Sequence, residues 1–390
     1  MECFDCQLNN LKGKFSLNDG LLSLESHDLL FPVSWAESTK RLYIIFSTRC
    51  NLRCVYCFQN EQRRTGSSID KEDLYSLVRN FQNDINEIVL FGGEPLLLEN
   101  MDVIEGLLSE FDYLKFICFT NGNFDRSFID LLKNYSYAFE RIVITLDGPK
   151  YVHDKRRINV KGSSYDIIVD NVKALDSSGV SVDIQINVDK NNESAIETLI
   201  ADVSQDTILS KLHYCLNPVK YTEVCVNPPD LFNLYFRLKT CYPVSLSINN
   251  RLLNNLERLF SHEPLIKDRC GLKSTYVLDL PNEQVYACPQ NCTSVIGRIS
   301  GANVELNQKN ISSEMKQVSF ASERCEGCSY WVVCPYCCPF VPDVDNCRAK
   351  VSDLISMSLL HLECLIGDKS VLNGLEENQL VSKEGSAICS

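Results

Sequence analysis

No stretch of this sequence reaches the roughly 18 unbroken apolar residues that a membrane helix needs, so no membrane partner is expected. The opening residues Met1-Glu2-Cys3-Phe4-Asp5-Cys6 carry neither a basic region nor an apolar core, which argues against an export signal. Positive charge is short as well: 38 Lys and Arg stand against 51 Asp and Glu, leaving a net charge of −13. A surface of that sign repels phosphate, which excludes nucleic acid as a main partner while leaving room for a local basic pocket. No whole-domain repeat and no low-complexity tract is present. The apolar fraction of 45% and charged fraction of 23% are those of an ordinary globular chain. Its 390 residues suffice for two or three domains around a large core.

Cysteine, by contrast, is abundant, with 20 in the chain. Without an export signal, thiols in this number fit metal binding better than disulfides. The expected setting is cytoplasmic, reducing and anaerobic. The densest constellation is Cys50-Asn51-Leu52-Arg53-Cys54-Val55-Tyr56-Cys57-Phe58, which follows the alternating run Leu42-Tyr43-Ile44-Ile45-Phe46-Ser47, a buried-strand pattern. Three cysteines so spaced on a loop leaving a strand can hold three corners of a cuboidal iron–sulfur cluster. A four-iron cluster normally takes four thiolates, so three ligands leave one iron open to a bound molecule. The bland alternative, a zinc knuckle or three structural thiols, lacks the four ligands in two separated pairs that zinc prefers.

Along the chain, residues 1–40 form an extension with a hairpin at 14–24, turned by Asn18-Asp19-Gly20, residues suited to positive backbone torsions. Cys3 and Cys6 have no second pair nearby, and plain thiols are the expectation. From 41 to 220, strand patterns at 41–47, 87–91, 114–119, 141–146, 182–188 and 212–216 alternate with helical patterns near 70–82, 100–111, 126–137, 164–178 and 193–203. Such alternation predicts an α/β fold with a parallel sheet and helices on its outer face. Periodicity does not distinguish an open doubly wound sheet from a partial barrel. Residues 221–266 read as a helical bridge and 267–366 as a cysteine-rich domain, with a polar, flexible tail at 367–390. Ligands in α/β folds sit at the carboxyl ends of strands, where the cysteine loop lies.

The cysteine loop, joined one strand later by Phe91-Gly92-Gly93-Glu94-Pro95, resembles the radical S-adenosylmethionine (SAM) enzymes. The resemblance implies a partial (βα)6 barrel and an open iron that chelates SAM. Cys50, Cys54 and Cys57 would be its cluster ligands, with Phe58 beside them. Gly92, Gly93, Glu94 and Pro95 would match the motif that contacts the SAM amino group. Thr120 (in Thr120-Asn121-Gly122) and Asp147 (in Leu146-Asp147-Gly148-Pro149) end the third and fourth strands and are expected among the SAM-binding residues. The run from Tyr151 to Tyr165 resembles the subgroup that modifies peptides and proteins, including anaerobic sulfatase maturases. By position Arg157 would contact the SAM carboxylate, and Asn187 the ribose.

The C-terminal cysteines resemble a SPASM extension, which implies two auxiliary [4Fe–4S] clusters, hence three in all. One would use Cys270, Cys288 and Cys338, with Cys292 as a fourth ligand or an open iron in its place; the other Cys325, Cys328, Cys334 and Cys347. Cys337 competes with Cys338, and a zinc ribbon over 325–347 is the alternative. Where members carry glycine, this chain has Glu283, and where sulfatase maturases carry aspartate after Cys288, it has Pro289.

The expected function is therefore a radical SAM/SPASM maturase. It would reductively cleave SAM to a 5′-deoxyadenosyl radical and modify a ribosomal peptide or protein side chain, by a thioether or carbon–carbon cross-link or an oxidation. A low-potential donor of flavodoxin or ferredoxin type is implied. Too few residues precede the barrel for a complete leader-binding domain, so a separate leader-peptide-binding protein, or direct recognition, is expected. The alternatives are a radical SAM dehydrogenase of a small molecule and, in another class, a non-catalytic iron–sulfur electron-transfer protein.

Overall fold

The computed structural model describes residues 15–18, 21–24, 29–32, 34–59, 70–219, 224–260, 263–266, 274–290 and 295–312. Strands β1 (Phe15–Asn18), β2 (Leu21–Leu24) and β3 (Leu29–Pro32) form a three-stranded antiparallel sheet in that order. The expected hairpin is β1–β2, with Asn18 opposite Leu21; β3 was not foreseen. The short β4 (Trp35–Ala36) follows.

The main sheet is built from β5 (Arg41–Ile45), β7 (Glu87–Phe91), β8 (Lys115–Thr120), β9 (Phe139–Thr145), β11 (Val182–Val188) and β12 (His213–Pro218), with β6 (Leu52–Cys54) and β10 (Arg157–Asn159) set apart. The connecting helices are α1 (Lys71–Phe81), α2 (Met101–Glu110), α3 (Ser127–Asn134), α4 (Lys150–Arg156), α5 (Tyr165–Asp176) and α6 (Glu193–Ser204). Local chemistry sets their bounds; Asp70 caps α1 by accepting from Glu72 N–H at 2.8 Å, with Glu72 and Asp73 in the first turn favourably placed at the positive end of the helix.

Strands β5, β7, β8, β9, β11 and β12 lie side by side in sequence order, all parallel. A doubly wound sheet reverses direction partway. This one does not, so every crossover winds the same way and the helices cover one face, as in a partial barrel. Residues 221–266 are more than a helical bridge. Between α7 (Pro228–Cys241) and α8 (Arg251–Phe260) runs β13 (Ser245–Ile248), parallel to β12. Its Leu246 and Ile248 are buried while Ser245 and Ser247 alternate with them, a pattern short enough to pass for a break between helices. After β14 (Leu265–Ile266), which pairs with β4, β15 (Thr275–Asp279) returns to pair in parallel with β5. Strands β16 (Gln284–Tyr286), β17 (Val295–Ser300) and β18 (Asn303–Leu306) extend it antiparallel, so the start of the cysteine-rich region continues the barrel sheet. Glu283 turns between β15 and β16 with φ +53°, the one non-glycine residue of positive φ among the described residues.

Alternation divides the two faces of the sheet. One face, carrying Leu42, Ile44, Leu90, Phe116, Ile144 and Ile184, is buried beneath the helices. The other changes character across the sheet. Under β5–β9 it is apolar, with Val89, Ile117 and Val143 packed against Tyr43, Phe91 and Phe119. Under β11–β13 it is polar, where His213 bridges Ser245 and Ser247 at 2.8 and 2.7 Å.

Candidate active site

Backbone leaving β5 runs against backbone leaving β7. Gly93 N–H donates to Ser47 O at 3.0 Å and Glu94 N–H to Arg49 O at 2.8 Å. The approach is close enough to require glycine: a Cβ on Gly93 would stand 2.0 Å from Arg49 O, and one on Gly92, at φ +125°, 2.8 Å from Ser47 O. Cys50 follows Arg49 directly, so the Gly-Gly step fixes where the cysteine loop begins.

Glu94 looks in sequence like a free acceptor, but it is turned into the fold and only 1% exposed. Its Oε1 accepts from Thr120 Oγ1 at 2.6 Å and Leu96 N at 2.9 Å, and its Oε2 from Asn121 N at 2.7 Å. Burial pushes this carboxyl up, opposed by those three donors. Glu94 and Thr120 thus tie the end of β7 to the end of β8. Pro95 is buried beside them and accepts at its carbonyl from Asn100 Nδ2 at 2.9 Å. Asn121 reaches back to the cysteine loop, donating from Nδ2 to Asn51 Oδ1 at 2.7 Å and approaching Cys50 Sγ at 3.5 Å; Leu52 N–H approaches the same sulfur at 3.4 Å. N–H groups aimed at a cysteine sulfur are among the devices that tune iron–sulfur clusters.

The centre of the loop is β6, which pairs antiparallel with β10 so that Cys54 stands opposite Arg157 and Arg53 opposite Ile158. Alternation turns Leu52, Cys54 and Arg157 inward and leaves Arg53 and Ile158 outside. Between Cys54 and Cys57, Tyr56 sends its hydroxyl inward, donating to Asp147 Oδ2 and accepting from Arg157 Nη1 at 2.7 Å and Asn187 Nδ2 at 3.0 Å. Asp147, fully buried, also accepts from Asn187 N at 3.0 Å; its role is to seat Tyr56. Arg156 stacks 5.0 Å over the Tyr56 ring and donates to Asp189 at 2.8 Å. One hydroxyl therefore joins the cysteine loop to the ends of β9, β10 and β11.

The electrostatics follow from this burial. The Asp147 carboxyl is pushed up by burial and pulled back by Arg157 and Arg156. His153 accepts from Asp147 N–H at Nδ1, 3.2 Å away, and burial lowers its pKa to about 3, so it is neutral at pH 7. Burial pushes the Cys54 thiol up to about 11 against the pull of Arg157, and raises Cys50 too. Such thiols give up their protons when a metal takes the sulfur.

These residues fit a cluster with SAM beside it. Cys50, Cys54 and Cys57 are free and half-buried. Among the described residues no group of three or more His, Cys, Asp or Glu side chains is arranged to hold a metal ion. Three thiols on one loop can each take a different iron of a cluster, whereas a zinc site wants four ligands on one centre. Arg157, buried at the same spot, has an Nε with no hydrogen-bond partner, a cationic donor with capacity for a carboxylate. Phe58 is 58% exposed at the outer end of the loop. Of the expected auxiliary ligands, Cys288 is half-buried beyond β16; Cys270, Cys292, Cys325, Cys328, Cys334, Cys338 and Cys347 lie outside the described residues. Tyr56, Asn121, Arg156 and the β6–β10 pairing escaped the reading of the sequence. The one hint was an aromatic residue inside the cysteine spacing.

Residues 44–203 match the radical SAM superfamily. Among characterised sequences it is similar to the cysteine-type anaerobic sulfatase-maturating enzyme of Clostridium novyi, 26% identical over 219 residues, which cover 49% of this chain and 58% of that enzyme. It is also similar to the probable GTP 3′,8-cyclase of Archaeoglobus fulgidus, 30% identical over 112 residues, 28% of this chain and 37% of that protein. The matched stretches thus span less than two thirds of either relative. In fold the chain is similar to anSMEcpe, solved with AdoMet and the Kp18Cys peptide, at a TM-score of 0.61 and 19% identity, over 84% of this chain and 99% of that one. Among the described residues no helix is long and apolar enough to cross a membrane.

Proposed function

We propose that this chain is a radical SAM/SPASM maturase that modifies a ribosomal peptide or protein side chain. The observation that supports the reading is the β6–β10 register, which sets Cys54 opposite a buried arginine whose Nε has no hydrogen-bond partner. Cys50, Cys54 and Cys57 would hold a four-iron cluster, which would supply the electron for reductive cleavage of SAM to methionine and a 5′-deoxyadenosyl radical that abstracts hydrogen from substrate. The chain's own residues orient and enclose. Arg157 receives the SAM carboxylate, its guanidinium aimed by Tyr56. The Gly92–Gly93 backbone, held by Glu94 and Thr120, faces the amino group, and Asn187 the ribose. The apolar wall of Tyr43, Phe91 and Phe119 keeps water from the radical.

The relative from Clostridium novyi, named for sulfatase maturation, supports a polypeptide substrate, and the similarity to a structure holding a peptide agrees with it. Two auxiliary clusters, on Cys270, Cys288, Cys338 with Cys292 and on Cys325, Cys328, Cys334 and Cys347, would accept the electron left after hydrogen abstraction or ligate the substrate. A low-potential electron donor, a cytoplasmic reducing compartment and a leader-peptide-binding partner complete the proposal.

The match to a probable GTP 3′,8-cyclase favours a second reading, a radical SAM enzyme acting on a small molecule. Co-expression with any short reading frame that adjoins the gene, followed by mass spectrometry of the peptides, separates the two. A cross-link formed by loss of two hydrogens, dependent on Cys50, supports the maturase. Turnover of GTP or another small molecule without any peptide overturns it.

A further inference from the structure

We propose that the outer face of the β6–β10 ribbon is the docking surface for the electron donor, an acidic flavodoxin-type protein. The inference rests on the function proposed above, since only a cluster-bearing loop needs an external electron.

The ribbon has two unlike faces. Inward lie Cys54 and Arg157; outward lie Arg53 and Ile158. Two residues further along each strand, Val55 and Val160 are also exposed. Val160 is 80% exposed, Val55 57% and Ile158 43%; the antiparallel register sets Ile158 at the middle of the ribbon with Val55 and Val160 beyond its two ends. Since layers pack about 10 Å apart, a protein seated here lies within about that distance of the Cys54 thiol.

The charge of this face is opposite to that of the molecule. In a chain of net charge −13, the exposed charged side chains among the described residues 51–58 and 154–161 are Arg53, Lys155 and Lys161, and the exposed Asp166 further on is paired with Lys150. Arg53 donates to the Cys50 and Leu52 carbonyls, which folds it back along its own strand while leaving it exposed. The acidic residue of the same stretch, Asp154, is turned away to accept from Ser164 and Tyr165 N–H, both at 3.0 Å. Exposed apolar and cationic side chains along one ribbon suit a transient, electrostatically steered partner of negative charge. The exchange balances as one electron: the flavin hydroquinone goes to semiquinone, and its electron breaks one carbon–sulfur bond of SAM by way of the cluster.

The test compares two reductants in the reconstituted enzyme. Lys155→Glu/Lys161→Glu and Val160→Asp leave the cysteine loop and the inward residues intact, and Lys155→Gln/Lys161→Gln serves as a milder pair. With reduced flavodoxin, 5′-deoxyadenosine formation falls about tenfold or more in the charge-reversed variant and less in the neutral one. With dithionite, all stay within about twofold of wild type. The wild-type flavodoxin rate falls as salt rises, and the reversed variant responds little. Binding of oxidised flavodoxin without SAM, read by quenching of its flavin fluorescence, weakens in step. An unchanged flavodoxin rate overturns the proposal, as does an equal loss with both reductants. A wild-type dimer that these substitutions dissolve also overturns it, by assigning the patch to a second copy. If wild type makes no 5′-deoxyadenosine even with dithionite, the proposed function fails first and this inference with it.

Discussion

Gly93→Ala is the smallest change that should disable the cysteine loop. The added methyl would stand 2.0 Å from Arg49 O, where ordinary contact begins at 3.4 Å, so the two backbones must part by about 1.4 Å. Such a shift breaks the Gly93–Ser47 and Glu94–Arg49 bonds at 3.0 and 2.8 Å. At about 1 kcal/mol each, plus strain on the Glu94 bracket, the expected cost is about 2–4 kcal/mol. Cys50, bonded to Arg49, moves with it. Gly162→Ala is the control for backbone strain without a clash: φ is +126° there, whereas Gly93 has no positive φ, and nothing lies within 4 Å of the added methyl, so only about 1–2 kcal/mol of backbone strain applies. After anaerobic reconstitution, the Gly93 variant should lack the barrel cluster, about four irons fewer than wild type, while the Gly162 variant keeps its iron. A Gly93→Ala protein with full iron and wild-type 5′-deoxyadenosine formation would refute the argument.

Further expectations concern groups around the loop. Tyr56→Phe removes the hydroxyl shared by Asp147, Arg157 and Asn187; SAM affinity should fall about tenfold or more with iron content unchanged, and equal SAM binding in the variant would contradict the aiming role. His153, whose pKa is lowered to about 3 from 6.5, takes up a proton on unfolding. Stability from it is complete above pH 6.5 and is lost as pH falls toward 3, by up to about 1.4 kcal/mol per unit; urea midpoints at pH 7 and 5.5 should differ less for His153→Phe than for wild type. Glu283→Gly, which relieves a side chain held at φ +53°, should stabilise by about 0.5–1 kcal/mol, read as a higher midpoint.

Much of the barrel was legible because each of its strands is buried on the helix side and flanked by amphipathic helices. Leu42, Ile44, Leu90 and Ile144 announce themselves as core by pattern alone. The ribbon over the cysteine loop was not. Leu52-Arg53-Cys54 is three residues long, and its partner Arg157-Ile158-Asn159 comes from a distant crossover; no local period marks a pairing so short and remote. The site divides likewise. The cysteines and Gly92–Gly93 are readable because spacing and backbone torsion are properties of one segment. Tyr56, Asn121 and Arg156 act through partners on other strand ends, which only the folded sheet brings together. Glu94 shows the converse, a carboxylate that looks free in sequence and is spent on Thr120, Asn121 and Leu96 once β7 and β8 are adjacent.

The central claim, a SAM-cleaving cluster on the loop between β5 and α1, is tested most directly by iron, sulfide and 5′-deoxyadenosine in two proteins. These are the anaerobically reconstituted wild type and Cys50→Ala/Cys54→Ala/Cys57→Ala. The account predicts about twelve irons falling to about eight, with 5′-deoxyadenosine from SAM and dithionite in the first and none in the second. About four irons falling to none would keep the SAM chemistry and remove the auxiliary clusters. Stoichiometric zinc without iron, or 5′-deoxyadenosine that survives the triple substitution, would contradict the claim.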